Sequence, residues 1–314
     1  MKKKLIASSV IIFILLVTYI VSFFKTTDKR KAINTTLLNT KYLSVINELD
    51  ISQGGKAVQI VKKNGIWFLN DASGSIPVEE KRVDDFLKEL SKTRTAYKIS
   101  GKANGTGGEK QKLDSFGLTD GSELVLRYYF DEPQGNSTGS GNFYELIFGN
   151  HDFSGTSRFF MTGNTATVYE IDSLLDKYLS TSPQIWYDPY IVSKAIQKKL
   201  SYRDIQRIKV DFEGKTSILT TKTEDFTEKT SKLLELRHGG LIEYDSFNTP
   251  QMTIKLEKGD TSQIIIRIYQ TAKDSEYNVE VEHSGGIGFE KAGSITVRSK
   301  ISLWTYNKIK EIML

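Results

Sequence analysis

The sequence has 314 residues, of which 39% are hydrophobic and 26% charged, so its composition is that of a folded protein rather than a disordered one. It contains no cysteine, which excludes disulfides, thiolate catalysis, Cys-based zinc sites and lipid attachment to an N-terminal cysteine. The net charge is +5, but residues 1–31 carry +6 by themselves, which leaves −1 for residues 32–314. A nucleic-acid-binding surface needs a basic excess on the folded part, so we expect no nucleic-acid partner.

An uncharged run of 20 residues extends from Leu5 to Phe24, which is the length that a helix needs to cross the hydrocarbon core of a bilayer. A cleaved signal peptide would have a shorter apolar core that ends in a small-x-small site, and this run ends in Ser22-Phe23-Phe24 instead. The sequence therefore predicts an uncleaved transmembrane anchor over residues 1–25. Similar numbers of basic residues flank both ends, so the positive-inside rule does not decide the orientation.

Residues 26–56 are polar and mixed, and they are predicted to form a stalk. Asn64-Gly65 then separates two apolar runs, Val58–Val61 and Ile66–Leu69, which is a strong β-hairpin signal because both turn positions need positive φ. A helix is predicted within Glu79–Tyr97, where apolar residues recur at i, i+3, i+4 and i+7. The following strand and short-helix patterns cover Glu123–Phe130, Phe143–Phe148, Ser157–Thr162, Thr167–Ile171 and Ser173–Leu179.

The second half repeats this order of patterns. Glu213-Gly214-Lys215 separates two predicted strands, Arg207–Phe212 and Thr216–Thr221, and a helix is predicted over about 225–237. The remaining predicted strands and the terminal helix cover Met252–Glu257, Ser262–Tyr269, Tyr277–Val281, Ser294–Arg298 and Ser302–Met313.

The predicted fold is α+β: an N-terminal transmembrane helix followed by two similar hairpin-helix-strands-helix repeats with mainly antiparallel sheets. The first repeat covers 57–182 and the second covers 206–314. The connecting segment covers 183–205 and is predicted to contain a helix near Ile191–Leu200. The alternative is one irregular α+β domain whose halves look alike because both contain common elements.

No motif for catalysis or metal binding is found in the sequence. His151, His238 and His283 lie far apart and do not have the spacing of a zinc motif. There is no P-loop and no G-x-S-x-G nucleophile elbow. The sequence therefore predicts a protein without enzyme activity, with no catalytic residue, no metal site and no cofactor.

Three aromatic residues, Trp186, Tyr187 and Tyr190, cluster around Asp188-Pro189 at the junction of the predicted repeats. Clefts between domains often bind ligands, and aromatic side chains anchor interfaces. These three residues are therefore the candidate interface or ligand groove. The alternative is that they pack between the two halves as buried core. The other two tryptophans are expected in the two hydrophobic cores.

Several motifs of the first half occur in a known order. A Gly-x-Trp strand at 65–69 is followed by a helix, by Phe116-Gly117-Leu118, by Val168-Tyr169-Glu170-Ile171-Asp172 and by Ser182-Pro183. Over about 58–190 this order resembles the uncharacterised family catalogued as domain of unknown function 4340. Phe116-Gly117-Leu118 is expected to be a structural turn in which Gly117 takes a positive φ while Phe116 and Leu118 fill the core on either side.

Proteins of that family resemble single-pass or signal-anchored bacterial proteins that are often encoded beside ABC-type permeases, ATPases and gliding-associated components. The resemblance implies a non-enzymatic, extracytoplasmic accessory or scaffold subunit of such a complex, held in the bacterial cytoplasmic (inner) membrane by Leu5–Phe24. Its partners would be the lipid bilayer and permease or ATPase subunits. The alternative is a membrane-anchored binding module for a cell-envelope polymer or small solute, which would use the groove at Trp186–Tyr190.

Overall fold

The computed structural model describes residues 32–71, 74–99, 113–119, 121–130, 142–163, 165, 167–199, 204–242, 249–259, 263–273, 275–284 and 295–314. Their strands belong to two sheets in which all the recorded pairings are antiparallel. The chain divides into two compact units. The first consists of the described residues up to Leu37, of Lys92–Glu123 and of Leu146–Leu174, and the second consists of Leu38–Ser91, Leu124–Glu145 and Leu175–Leu314.

Seventeen strands and four helices make up the described part of the chain. The strands are β1 Ala32–Thr35, β2 Ile46–Gln53, β3 Lys56–Lys63, β4 Ile66–Asp71, β5 Gly74–Pro77, β6 Arg94–Lys98, β7 Leu124–Phe130, β8 Asn142–His151, β9 Ser157–Thr162, β10 Tyr169–Asp172, β11 Ile205–Phe212, β12 Lys215–Thr220, β13 Gly240–Leu241, β14 Met252–Lys258, β15 Gln263–Gln270, β16 Glu276–Ser284 and β17 Ile295–Ser302. The helices are α1 Glu80–Ser91, α2 Lys194–Lys199, α3 Phe226–Leu234 and α4 Leu303–Met313, with single 3₁₀ turns at Thr40–Tyr42 and Pro183–Ile185.

The first unit has the strand order β1-β6-β10-β9-β8, with β8 belonging to it from Leu146 onward. Gly117 lies beside this sheet with φ +67°, and Leu118 is buried. The turn packs closely on β8, because a Cβ on Gly149 would lie 2.1 Å from the carbonyl oxygen of Phe116. Phe116 also contacts Phe159, with 4.7 Å between the ring centroids.

The second unit contains strands in the order β7-β2-β3-β4-β5 and a second sheet in the order β12-β11-β14-β15-β16-β17-β13. Strand side chains alternate between faces, and in β15 this alternation buries Ile264, Ile266 and Ile268 on one face. Helices α3 and α4 contribute to the same hydrophobic core through residues such as Leu233 and Ile309. The second sheet is therefore covered on this face by its own helices.

The predicted hairpins are confirmed. Lys63 pairs with Ile66 across Asn64-Gly65, whose φ values are +52° and +81°. Phe212 pairs with Lys215 across Glu213-Gly214, with φ values of +49° and +74°. Two consecutive positive φ values define the type I′ turn, whose twist matches that of the flanking strands.

The predicted α+β fold of two similar repeats is wrong, because the described chain is mainly antiparallel β-sheet with four short helices. The segment predicted as a stalk contains β1 and β2. Strand β2 was not predicted because its composition is polar. It buries Leu49 and Ile51 on one face, while Glu48 and Asp50 alternate with them on the other. Residues 173–179, predicted as a helix, form a series of turns.

The membrane prediction also needs correction. Among the described residues no helix is both long enough and apolar enough to cross a bilayer, and α1 has only 12 residues. The predicted anchor, Leu5–Phe24, lies outside the described residues. No helix of the described residues thus supports the prediction of a single-pass inner-membrane protein with an extracytoplasmic domain.

The two tryptophans expected in cores have different environments. Trp67 is buried at 3% exposure, as predicted, whereas Trp304 is 70% exposed and the prediction for it is wrong. Helix α4 buries Tyr306, Ile309 and Met313, and the 3.6-residue period turns position 304 away from that face.

Candidate functional site

The candidate site lies in the second unit, where the segment from Trp186 to Asp188 runs beside the end of β5. The N–H of Glu79 donates to the carbonyl of Trp186 (3.0 Å), and the N–H of Asp188 donates to the carbonyl of Pro77 (3.3 Å). Val78 forms an isolated antiparallel bridge with Tyr187 between these two bonds. The segment is thereby fixed by backbone pairing.

The same segment is tied to the edge of the second sheet. The N–H of His238 donates to the carbonyl of Pro189 (3.0 Å), and the N–H of Gly239 donates to the carbonyl of Lys300 (2.7 Å). Strand β13 then pairs with β17, which sets Gly240 opposite Lys300. Residues far apart in the sequence are thus brought to one place by backbone hydrogen bonds.

A pocket of about 560 Å³ opens between these segments. Its size is within the range of small-molecule sites. The described lining residues offer one ammonium group, one phenol, one carboxamide, one imidazole and several aliphatic side chains, and none of them carries a carboxylate. They are Ile76, Gln184, Tyr187, Pro189, His238, Gly239, Gly240, Leu241, Ile242 and Lys300.

His238 forms part of the wall, and both of its ring nitrogens are engaged by backbone. The N–H of Gly240 donates to Nδ1 (3.1 Å), so Nδ1 carries no proton, and Nε2 lies 2.8 Å from the carbonyl of Asp188, to which it donates. Burial lowers the pKa of His238. The imidazole is therefore a neutral link between two backbone segments.

Asp188 is buried beside the pocket, and its carboxylate is directed to the chain that follows it. The carboxylate accepts from the N–H of Tyr190 (3.1 Å), the hydroxyl of Ser193 (2.7 Å) and the N–H of Lys194 (2.6 Å). Burial raises the pKa of Asp188, while these hydrogen bonds act in the opposite direction. Asp188 thus fastens the segment to the start of α2.

Lys300 places its side chain against Gly240. A Cβ built on Gly240 would lie 3.7 Å from Cε of Lys300, and Gly240 has φ +145°, which side chains rarely adopt. Within the part of the chain that the structure describes, Lys300 has no recorded ion-pair partner. The stem of Lys300 therefore crosses a bare stretch of backbone at the pocket wall.

The three aromatic residues predicted as a groove have different positions. Trp186 is fully buried, with its ring 5.8 Å from that of Phe86 and 5.4 Å from the Arg82 guanidinium. Tyr187 lines the pocket. Tyr190 is absent from the lining and instead contacts the Lys194 ammonium at 4.3 Å. Of the three residues, the structure thus places only Tyr187 at the pocket, and their role in binding a ligand or partner stays a prediction.

Sequence patterns do not identify His238 and Lys300 as site residues. His238 belongs to no motif, and Lys300 lies in an ordinary strand pattern. Gly239-Gly240 after a predicted helix is a signal for an unusual backbone, although it does not name the strand that approaches it. In the described residues, no group of three or more His, Asp or Glu side chains is arranged to hold a metal ion.

Comparison with known proteins gives one family and one distant structure. No curated protein matches this chain. The crystal structure of the Borreliella burgdorferi PlzA protein in complex with c-di-GMP aligns over 95% of this chain and 99% of that chain, with 9% identity and a TM-score of 0.14, which is too low to indicate a shared fold. The model of one family matches residues 67–238, more than half of the chain. The chain therefore belongs to the family described as "Domain of unknown function (DUF4340)", as its motifs predicted.

Proposed function

We propose that this protein is a non-enzymatic binding module whose pocket takes a small solute or the end of a cell-envelope polymer. The observation that carries the proposal is the pocket of about 560 Å³ beside Tyr187 and Lys300. Its lining combines aliphatic surface with a few polar groups, which is the usual character of a ligand site.

The polar groups favour binding over catalysis. A general base needs a nitrogen or oxygen free to take a proton from the substrate, and both ring nitrogens of His238 are bonded to backbone. The carboxylate of Asp188 accepts three hydrogen bonds from its own segment. Neither His238 nor Asp188 therefore offers a free general base at the pocket.

A thermal-shift screen of the full-length protein against small solutes and cell-envelope fragments tests the binding function. A ligand that binds the native state raises the unfolding temperature by mass action. We expect Tyr187→Ala to abolish the shift, and Tyr190→Ala, a matched change three residues away and outside the lining, to retain it. Shifts that persist in Tyr187→Ala, or a screen with no ligand at all, would contradict the proposal.

A second candidate function is the accessory or scaffold subunit of an ABC-type or gliding-associated complex. The observation that favours it is Phe153, whose side chain is completely exposed in the first unit, with Leu174, 60% exposed, in the same unit. Exposed aromatic residues often anchor protein interfaces.

The turn that carries Phe153 is held in place. The carboxylate of Asp152 accepts from the hydroxyl of Ser154 (2.6 Å) and the N–H of Ser157 (3.0 Å), and these bonds lower the pKa of Asp152 to about 2. The N–H of Ser173 donates to the carbonyl of Thr156 (3.1 Å). A side chain presented by an ordered turn loses less entropy on binding.

Co-purification of the full-length protein from its native cells tests this second function. We expect an ABC-type permease or ATPase to accompany the protein at near-equal amounts and Phe153→Ala to reduce its recovery. Phe143→Ala is the control, because it is the same change at a phenylalanine that is half-exposed and contacts Tyr129. Recovery of the protein alone, under conditions that preserve other complexes, would refute the scaffold role.

A further inference from the structure

We infer that the pocket selects ligands that carry an oxyanion, either a carboxylate or a phosphate, and that the Lys300 ammonium is its partner. The inference rests on the proposed binding function and names the chemistry of its ligand. Among the described residues that line the pocket, Lys300 carries the only full charge. His238 is neutral because its Nδ1 accepts the N–H of Gly240.

The strand register explains why the Lys300 charge is available. The residues directly opposite Lys300 are Gly240 on β13 and Asn278 on β16, and neither is an acid. Two positions earlier on β17, Arg298 lies opposite Glu280 and forms an ion pair with it at 3.0 Å. The sheet thus balances Arg298 and leaves Lys300 without a cross-strand acid.

Among the described residues, the acids of β16 next to this position, and Asp188, have other partners. Glu280 bridges Arg267 and Arg298, each at 3.0 Å, and Glu282 binds Arg267 at 2.7 Å. The carboxylate of Asp188 faces its own segment. An oxyanion from outside would therefore meet the Lys300 ammonium without displacing an ion pair recorded in the described structure. Charge pairing at a half-buried site is stronger than in open water.

The remaining lining residues indicate what the oxyanion should be attached to. Ile76, Leu241 and Ile242 offer aliphatic surface, and Tyr187 offers an aromatic ring. The bare backbone of Gly240 lets the Lys300 stem lie across the wall. The ligand class is therefore a compact apolar or aromatic body that bears one carboxylate or phosphate.

Ligand-observed NMR on the full-length protein with three matched probes tests the inference: benzoate, phenyl phosphate and benzyl alcohol. We expect at least one anion to bind about tenfold more tightly than the alcohol, which corresponds to about 1.4 kcal/mol, because a hydrogen bond to a charged group is stronger than one between neutral groups. Lys300→Gln should remove that preference. Lys255→Gln, which changes a half-buried lysine of β14 outside the lining, should keep it.

The outcomes separate the inference from the function on which it rests. Tighter binding of benzoate identifies a carboxylate ligand, and tighter binding of phenyl phosphate identifies a phosphate ligand. Equal binding of the alcohol, unchanged by Lys300→Gln but lost in Tyr187→Ala, would overturn the anion inference and leave the binding function standing. If no probe binds in a Tyr187-dependent way, the anion inference is overturned, and the solute screen decides separately whether the pocket binds anything.

Discussion

Two basic residues of β17, Arg298 and Lys300, differ in whether an acidic residue lies opposite them. Arg298 lies across from Glu280 and shares it with Arg267, so its charge is balanced within the sheet. Lys300 lies across from Asn278 and Gly240, at the wall of a pocket. The difference indicates that a charge balanced by its neighbours supports the fold, whereas Lys300, which has no ion pair among the described residues, is the charge that we propose for a ligand.

The largest effect that we predict concerns the opposite, buried face of β16 and the dependence of stability on pH. His283 is buried there, and within the described residues its Nε2 has no hydrogen-bond partner. Burial lowers the pKa of His283 to about 4, below the ordinary value of 6.5. Between these values the unfolded chain binds a proton that the folded chain does not, so stability falls as pH falls. Each pH unit in this window costs about 1.4 kcal/mol.

We therefore expect acidification from pH 6.5 to 4 to lower the free energy of unfolding by about 3 kcal/mol through His283. Urea unfolding at several pH values measures this slope. His283→Leu should remove most of it, with a smaller slope left from His238, whose pKa is also lowered. An unchanged slope in His283→Leu would show that the imidazole does not control the acid response.

The next effect concerns the balanced charges. Glu280→Gln removes the carboxylate that binds both Arg267 and Arg298, while Glu282 still binds Arg267. We expect a loss of about 1–3 kcal/mol in unfolding free energy, because two half-buried guanidinium groups lose a charged hydrogen-bond partner while their desolvation cost stays. Lys300→Gln should change stability by less than about 0.5 kcal/mol. Equal losses in the two variants, measured by denaturant unfolding, would contradict the contrast between the two positions.

A third change would give Lys300 the acid that it lacks. Asn278→Glu places a carboxylate directly across from Lys300. A cross-strand ion pair contributes about 0.2–1 kcal/mol to stability, and it would compete with an anionic ligand for the ammonium. We expect the affinity for the preferred anionic probe to fall by up to about fivefold, which corresponds to about 1 kcal/mol. Asn278→Gln is the matched control, and an equal fall with it would show that bulk rather than charge is responsible.

The smallest effect concerns a turn far from the pocket. Glu213 has φ +49° in a type I′ turn where Gly, Asn or Asp is favoured. Glu213→Gly should raise the unfolding free energy by up to about 1 kcal/mol, because the left-handed conformation costs a side chain about that much. Thermal unfolding measures this gain in stability, and ligand binding at Lys300 should not change.

Local patterns made parts of this fold predictable. Asn64-Gly65 marks a hairpin because its signal lies within a few residues, and the predicted strand Ser157–Thr162 has those bounds in the structure. β2 escapes prediction because Glu48 and Asp50 on its outer face give the segment a polar composition. The prediction of a core position for Trp304 rests on size alone, without the helix period that turns it outward.

The site was less predictable than the fold. Tyr187 is found from the sequence because aromatic residues cluster beside it. His238 and Lys300 join it only through backbone pairing between 189 and 238 and between 239 and 300. Long-range packing decides which strands pair. Without a local motif at those positions, this pairing cannot be predicted from a single sequence.

The link between His238 and Gly240 turns one backbone amide into a reporter. The N–H of Gly240 is protected from solvent exchange only while Nδ1 of His238 has a lone pair to accept it. When the imidazole gains a second proton, that acceptor is lost and the amide is released. The hydrogen-exchange rate of a single glycine amide therefore depends on the protonation state of the pocket wall and can be measured without any ligand.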